Sequence, residues 1–449
     1  MCHHGLTALL WVAAVLFGSS VHAAAAVQAL RAGAGKAEIV LPPLPLQGGT
    51  FTSQHDPLEC KVVLLDNSVT RVALVTIDMT SLSADMIDLI QKAVGEVAKV
   101  SPANVLVSAT HTFSAPHVPG AQQTIQNNER QLMIDALTAA VRKSSLAAFN
   151  TLQSASVGAS TGASYININR DLEVREGWSL GANEQGSSDK SVGVVRIDNQ
   201  QGEPIVILVN YAVQASVMNE STGPDGGRVI TADLAGATTR YIERQYGEKV
   251  VSLFLVGAAG DQSPTYVANR YTIDKDLKSG RVDVGNAGFL LVDLLGERLG
   301  AEAVRVAQSI RPVSTTMPVR VVQNSMMFME LESSPSPTAR QPRRKHEYVT
   351  KDKAPMPYWI MQVGDIAFVG VQVELASTTG TAIKAQSPFR HTMVLSMVNG
   401  AAKYLPDAES FDRITYEALG ARYARGSAET FTTGLVQELQ RMKSDAGAM

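Results

Sequence analysis

Four short stretches of the chain carry side chains suited to chemistry. Thr110-His111-Thr112-Phe113-Ser114-Ala115-Pro116-His117 places two imidazoles in one polar loop. Imidazole is the commonest neutral metal ligand and a natural general base. A capped turn with surface histidines would look the same. In Gly257-Ala258-Ala259-Gly260-Asp261-Gln262-Ser263-Pro264, glycines let backbone amides approach a ligand and Ser263 offers a donor to an oxyanion. A tight strand-to-loop turn also accounts for that stretch. Glu374 follows the apolar Val371-Gln372-Val373. Once buried, such a carboxylate needs a partner, and a metal ion, an arginine or a helix N-terminus would each serve. Asn399-Gly400-Ala401-Ala402-Lys403-Tyr404-Leu405-Pro406 supplies a phenol, with Tyr416-Glu417 further on. A tyrosine of this kind is by default a core residue with one polar tip.

The elements around these stretches must bring them together. Arg71 to Asp78 and Asn104 to Thr110 are short apolar runs that predict buried strands. Between them, Ser83 to Val100 has helical spacing through Met86, Ile87, Ile90, Val94 and Val97. The three form a βαβ unit, so the strands should be parallel, with His111 at their carboxyl edge. Helices are predicted over Asn127–Phe149, Ala232–Tyr246 and Asn286–Ile310, and a mainly helical segment over Ala408–Met442. Ser191–Asp198 and Glu203–Ala212 read as strands paired through Asn199-Gln200-Gln201-Gly202. Lys249–Val256 is a further buried strand, and Tyr358–Val371 a hairpin. Ser333–Pro357, rich in Ser, Pro, Arg and Lys, reads as a surface excursion. The fold class is α/β, mixed β-sheets flanked by helices with the site at strand carboxyl ends.

Composition narrows the setting. The chain has 449 residues, 45% hydrophobic and 18% charged, which is globular composition. A net charge of -3 and the lack of a basic excess speak against nucleic-acid partners. Leu6 to Gly18 is an apolar run followed by Val21-His22-Ala23, a small-x-small pattern. Residues 1–23 are therefore expected to be a signal peptide, with the protein periplasmic or secreted. Only Cys2 and Cys60 exist, so removal of that segment leaves Cys60 alone and no intramolecular disulfide.

Taken in order, these blocks resemble the neutral/alkaline non-lysosomal ceramidase family. The likeness begins at Ala32-Gly33-Ala34-Gly35-Lys36-Ala37-Glu38-Ile39 and His55-Asp56-Pro57-Leu58. It runs through the Thr110–Pro116 loop, Ile168-Asn169-Arg170, Asn210-Tyr211-Ala212-Val213-Gln214 and Thr231-Ala232-Asp233. It ends with Gly257–Pro264, the Gly364-Asp365 to Glu374 segment and the Asn399 to Glu417 region. The resemblance implies one catalytic domain over residues 30–442, without the immunoglobulin-like domain of longer members.

It also implies an amidase in which a Zn2+ ion, held by two histidines, a glutamate and a tyrosine, activates water against the N-acyl carbonyl of a lipid-like substrate. Carried onto this chain, His111, Glu374 and Tyr404 match metal ligands. Arg170, Ser263 and Tyr416 match residues that contact substrate or stabilise the oxyanion. The sequence departs from the pattern twice. Gln214 stands at the second histidine ligand, and Phe113 at the second histidine of the loop. A carboxamide oxygen is a poor zinc ligand. Substitution by His117 or another histidine, a water in the gap, a harder ion or loss of zinc all remain open. The expected substrate is an N-acyl lipid-like molecule, ceramide or another amide, met through transient membrane-surface contact. The alternative is a degenerate homologue that binds a lipid or cell-envelope ligand without turnover.

Overall fold

A computed structural model of the chain describes residues 29–118, 127–276, 279–313, 316–332 and 340–447. The expected signal peptide lies outside these residues. Among them, no helix is long and apolar enough to cross a membrane.

Two sheets stack at the centre. The larger has eight strands in the order Val251–Val256, Pro204–Tyr211, Ser191–Asn199, Gln153–Ala163, Arg31–Glu38, Glu59–Asp66, Arg71–Ile77, Val105–Ala109. The two outermost pairs are parallel and the inner ones antiparallel. The smaller sheet has four strands, Val319–Leu331, Thr350–Val363, Ile366–Val371 and His391–Leu395. Both sheets are mixed, as the α/β reading requires.

Strand alternation builds the layers. On Arg71–Ile77, Ala73, Val75 and Ile77 join a core with the helices Ala84–Ala98 and Asn127–Asn150. Val72 and Leu74 point the other way, toward Trp359, Met361 and Phe368 of the smaller sheet. On Thr350–Val363 the pattern repeats: Tyr358 and Ile360 turn outward to Ile383, Phe431 and Leu435, on the helices Ser377–Gln386 and Ser427–Gly447. Helices Asp233–Gln245 and Phe289–Ser309 cover the rest of the larger sheet. The result is four layers, helix, sheet, sheet, helix. Sheet strands buried on both faces read as continuous apolar runs, which is why they stand out in the sequence.

Helix Asn127–Asn150 lies close on strand Arg31–Glu38 because of the glycines in Gly33-Ala34-Gly35. A Cβ on Gly35 would sit 2.2 Å from the carbonyl oxygen of Ser144, and one on Gly33 2.2 Å from that of Ala148. Backbone cannot give way as a side chain can. Gly35→Ala is expected to destabilise the fold by about 1–3 kcal/mol through overpacking, measured by urea denaturation. An unchanged midpoint would mean that the helix lifts freely.

The sequence-based elements match closely. The expected βαβ unit is present, with Arg71–Ile77 parallel to Val105–Ala109. Ser191–Asn199 pairs antiparallel with Pro204–Tyr211. The surface excursion at Ser333–Pro357 needs correction at its end. Thr350–Pro357 belongs to a long strand paired with Val319–Leu331. Pro355 and Pro357 hid it, although prolines are tolerated in strands where no ladder donor is needed. Residues 333–339 of that stretch lie outside the described residues.

Candidate active site

Strand carboxyl ends position the site, as expected. His111 follows Val105–Ala109, Gln214 follows Pro204–Tyr211, and Ser263 follows Val251–Val256. Glu374 follows Ile366–Val371, and Tyr404 follows His391–Leu395. Short cross-links then pull these loops together. Glu374 and Tyr404 face each other in a two-residue parallel ladder, and Glu374 N–H donates to the Lys403 carbonyl at 2.7 Å. Thr112 bridges to Ala215, with Phe113 N–H donating to the Ala215 carbonyl at 3.1 Å, so the His111 loop is held against the Gln214 segment. Ser263 pairs with Ile168, two residues before Arg170.

His111 occupies the left-handed backbone region, at φ 59°. For a non-glycine residue this costs on the order of 1–3 kcal/mol and persists only where its surroundings enforce it. The turn sends the buried imidazole back onto the chain. Its Nδ1 lies 2.6 Å from the Thr80 carbonyl oxygen and its Nε2 3.2 Å from Glu374 Oε2. A carbonyl only accepts, so Nδ1 carries a proton. Nε2 then meets a carboxylate oxygen, and that contact is a hydrogen bond only if a second proton is shared between imidazole and carboxylate.

Glu374 Oε2 also accepts from Gln214 Nε2 at 2.8 Å. The other end of that amide, Oε1, accepts from Arg170 Nη1 at 2.8 Å. Arg170 Nε donates to Glu417 Oε1 at 2.7 Å. A buried polar chain thus runs from Glu417 through Arg170, Gln214, Glu374 and His111 to Thr80. The guanidinium carbon lies 5.5 Å from the ring centroids of both Tyr404 and Tyr416, whose rings meet edge to face at 5.7 Å. Arg170 Nη2 is buried without an acceptor in hydrogen-bond geometry. Leaving such a donor unpaired costs about 1–3 kcal/mol, so the site favours an incoming oxygen.

Electrostatics follow from this crowding. Burial opposes the charge of Arg170, but the Glu417 and Glu374 carboxylates hold it firmly protonated. Burial, then the Glu374 charge, push the Tyr404 phenol well above its usual range, so it is a neutral O–H donor. Burial, then the Glu417 carboxylate, raise Asp171 well above the ordinary carboxylate range.

Behind Arg170, Asp261 accepts from Ser377 N–H at 2.8 Å and from its hydroxyl at 2.9 Å. Burial outweighs these bonds and pushes the acid up to about 6. A raised folded-state value means stability that is full below the unfolded value, about 3.9, and lost as pH rises through 6. Asp261→Asn removes that loss. Between pH 4 and pH 8 the variant should gain on the wild type by roughly 2 kcal/mol in unfolding free energy, read from denaturation at both pH values. A constant difference would show that the carboxyl is not displaced.

These side chains floor a cavity of about 320 Å³. Arg170, Gln214, Ser263, Tyr404, Tyr416 and Phe113 line it. His111 and Glu374 lie just behind, 3% and 8% exposed, with Phe113 edge-on against the imidazole at 4.6 Å. His117 is on the exposed end of the loop, its carbonyl accepting from Gln47 Nε2 at 2.9 Å. Desolvation, then the neighbouring His111, lower its pKa.

Comparison with family models and with curated proteins returns no match. Solved structures do match. A ceramidase complexed with C2 superposes with a TM-score of 0.67 at 16% identity, over 93% of this chain and 76% of that one. The neutral ceramidase from Pseudomonas aeruginosa gives a TM-score of 0.66 at 16% identity, over 91% of this chain and 74% of its own. The chain has the neutral ceramidase fold.

Within this ceramidase fold the donor set can be tested against the zinc that the resemblance implies. Gln214 presents an NH2 group to Glu374, and its one good ligand atom is committed to Arg170. Turning the amide over would aim its NH2 at the guanidinium. Among the described residues, no three His, Cys, Asp or Glu side chains gather closely enough to hold an ion. The residues present therefore do not fit a zinc ion held by two imidazoles, a carboxylate and a phenol.

Sequence reasoning did not assign roles to Glu417, Asp171 and Thr80. The first two sit directly beside Arg170 and Tyr416, and that adjacency was the available signal. Thr80 acts through its backbone carbonyl, which no side-chain pattern reveals.

Proposed function

We infer that the protein is a hydrolase of the ceramidase type, acting on the N-acyl amide bond of a lipid-like molecule bound in this cavity. One observation carries the reading. Arg170, Ser263, Tyr404 and Tyr416 line one cavity, with Glu374 and His111 at its back, although they come from segments spread over more than half the chain. The chemistry assigned here uses only these side chains. Arg170 and the Tyr404 and Tyr416 phenols are the donors for the carbonyl oxygen as it gains negative charge. Glu374, held by the Gln214 amide and set against the His111 imidazole, takes a proton from the attacking water and returns it to the leaving nitrogen. Ser263 positions the substrate.

A second reading, binding without turnover, is favoured by Gln214 and Phe113. Gln214 donates to Glu374, and Phe113 packs against His111, so both stand between the cavity and the acid–imidazole pair. The test is release of fatty acid from a panel of N-acyl amides with a chelator present, comparing wild type with Glu374→Ala. Release by the wild type alone supports the hydrolase. Binding with no release from any substrate supports the second reading.

Export and contact with a membrane surface belong to the same proposal. Leu290 and Leu294 are exposed at 74% and 59%, one turn apart on helix Phe289–Ser309 and beside Leu291, which lines the cavity. Apolar side chains at a cavity mouth suit a substrate drawn from lipid.

A further inference from the structure

The charge lining the cavity is one-sided. Arg170, Arg270, Arg281 and Arg340 line it, and among the described residues no Asp, Glu or Lys does. The charge of Arg170 is answered from below by Glu417 and Glu374. The other three arginines are exposed at the rim, where the balance differs. Arg340 pairs with Glu220 at 3.0 Å, and Arg281 pairs with the same carboxylate. Arg270 makes no ion pair with any described residue. Three guanidinium groups against one carboxylate leave two positive charges at the mouth, on a chain whose net charge is -3. Arg281 is further held by Asn269 Oδ1 at 3.0 Å and lies over the Tyr271 ring at 4.7 Å. Its Nη2 also donates to the Asn269 carbonyl at 3.3 Å, so Arg281 is a fixed positive charge at the rim while Arg270 and Arg340 offer the freer guanidinium groups.

A ceramide-like diol accepts hydrogen bonds but leaves the charge of such a rim unanswered. Guanidinium forks match the paired oxygens of carboxylate and phosphate, and a charged cleft mouth concentrates oppositely charged ligands. Resting on the reading of this cavity as the substrate site, we propose that the preferred ligand is an N-acyl amide that carries an oxyanion, carboxylate or phosphate, on its amine side. The acyl chain occupies the apolar wall around Ile168, Leu180 and Leu291, and the anionic group meets Arg270, Arg281 and Arg340.

The test is equilibrium binding to the full-length protein by calorimetry, with three probes sharing one acyl chain. These are N-dodecanoylglycine, its methyl ester, and N-dodecanoylethanolamine phosphate. At low salt the carboxylate or the phosphate should bind at least about tenfold more tightly than the ester. Whichever anion binds more tightly identifies the group. The preference should shrink as salt is raised and fall toward unity in Arg270→Gln/Arg340→Gln, with ester binding unchanged. Equal affinity for all three probes, or binding of none, overturns the proposal. Fatty-acid release is followed in parallel. An anion preference without release leaves this inference standing and removes the hydrolase. Release without an anion preference does the opposite.

Discussion

Glu374→Ala should lower N-acyl amide hydrolysis by roughly three orders of magnitude, the scale of a lost general base together with its oriented environment. The carboxylate makes three connections at once. It faces the His111 imidazole at 3.2 Å, accepts from Gln214, and supplies part of the charge that keeps Arg170 in place. Removing it leaves the imidazole and the amide without their acceptor and disrupts the donors for the carbonyl oxygen. His111→Ala should have an effect of similar size, because Glu374 then loses the side chain that packs against its reactive oxygen. Glu374→Gln separates chemistry from scaffolding, since it keeps a polar group of the same shape while abolishing the base. Initial rates of fatty-acid release, with thermal melts to confirm folding, make the comparison. Rates equal to wild type in Glu374→Ala and His111→Ala would remove the catalytic assignment.

Gln214→His is expected to create a metal site. The new imidazole would stand where the carboxamide now separates Arg170 from Glu374, giving two histidines, one carboxylate and the Tyr404 phenol around a common point. Neutral imidazole offers a lone pair where the amide offers N–H groups, and this donor set suits zinc. The variant should purify with zinc near one equivalent and become sensitive to chelators. Its melting temperature should depend on zinc, since an ion at a hundred times its dissociation constant stabilises by about 2.7 kcal/mol. Metal analysis by mass spectrometry settles the first point. A variant that takes up no more zinc than wild type would mean that these four side chains do not share a centre.

The layers of the fold were legible because burial on both faces writes itself plainly. Val105-Leu106-Val107 and Val251-Ser252-Leu253-Phe254-Leu255-Val256 admit little but strand, and Met86, Ile87, Ile90 and Val94 little but helix. The strand at Thr350–Pro357 was not legible, since its outer half is exposed and carries lysines and prolines that resemble a loop. At the site, residue types told which groups matter, and the carboxyl-edge rule told where His111 goes. What pairs with what was not written locally. The Gln214 bond to Glu374 spans 160 positions and the Arg170 bond to Glu417 spans 247. Such partners are chosen by the stacking of two sheets, and only the adjacency of Asp171 to Arg170 and of Glu417 to Tyr416 hinted at the acid pair beneath.

The two halves of the candidate site hang from different floors of the building. His111 and Gln214 descend from the eight-stranded sheet, Glu374 and Tyr404 from the four-stranded one. Where they meet, the Asn399 side chain accepts from Val107 N–H at 2.8 Å, and Asn399 N–H donates to the Val107 carbonyl at 2.8 Å. That double stitch works like a dowel against sideways slip. A slide between the floors would part the His111–Glu374 contact while both helical coats stayed intact, so the paired site can come apart long before the protein melts.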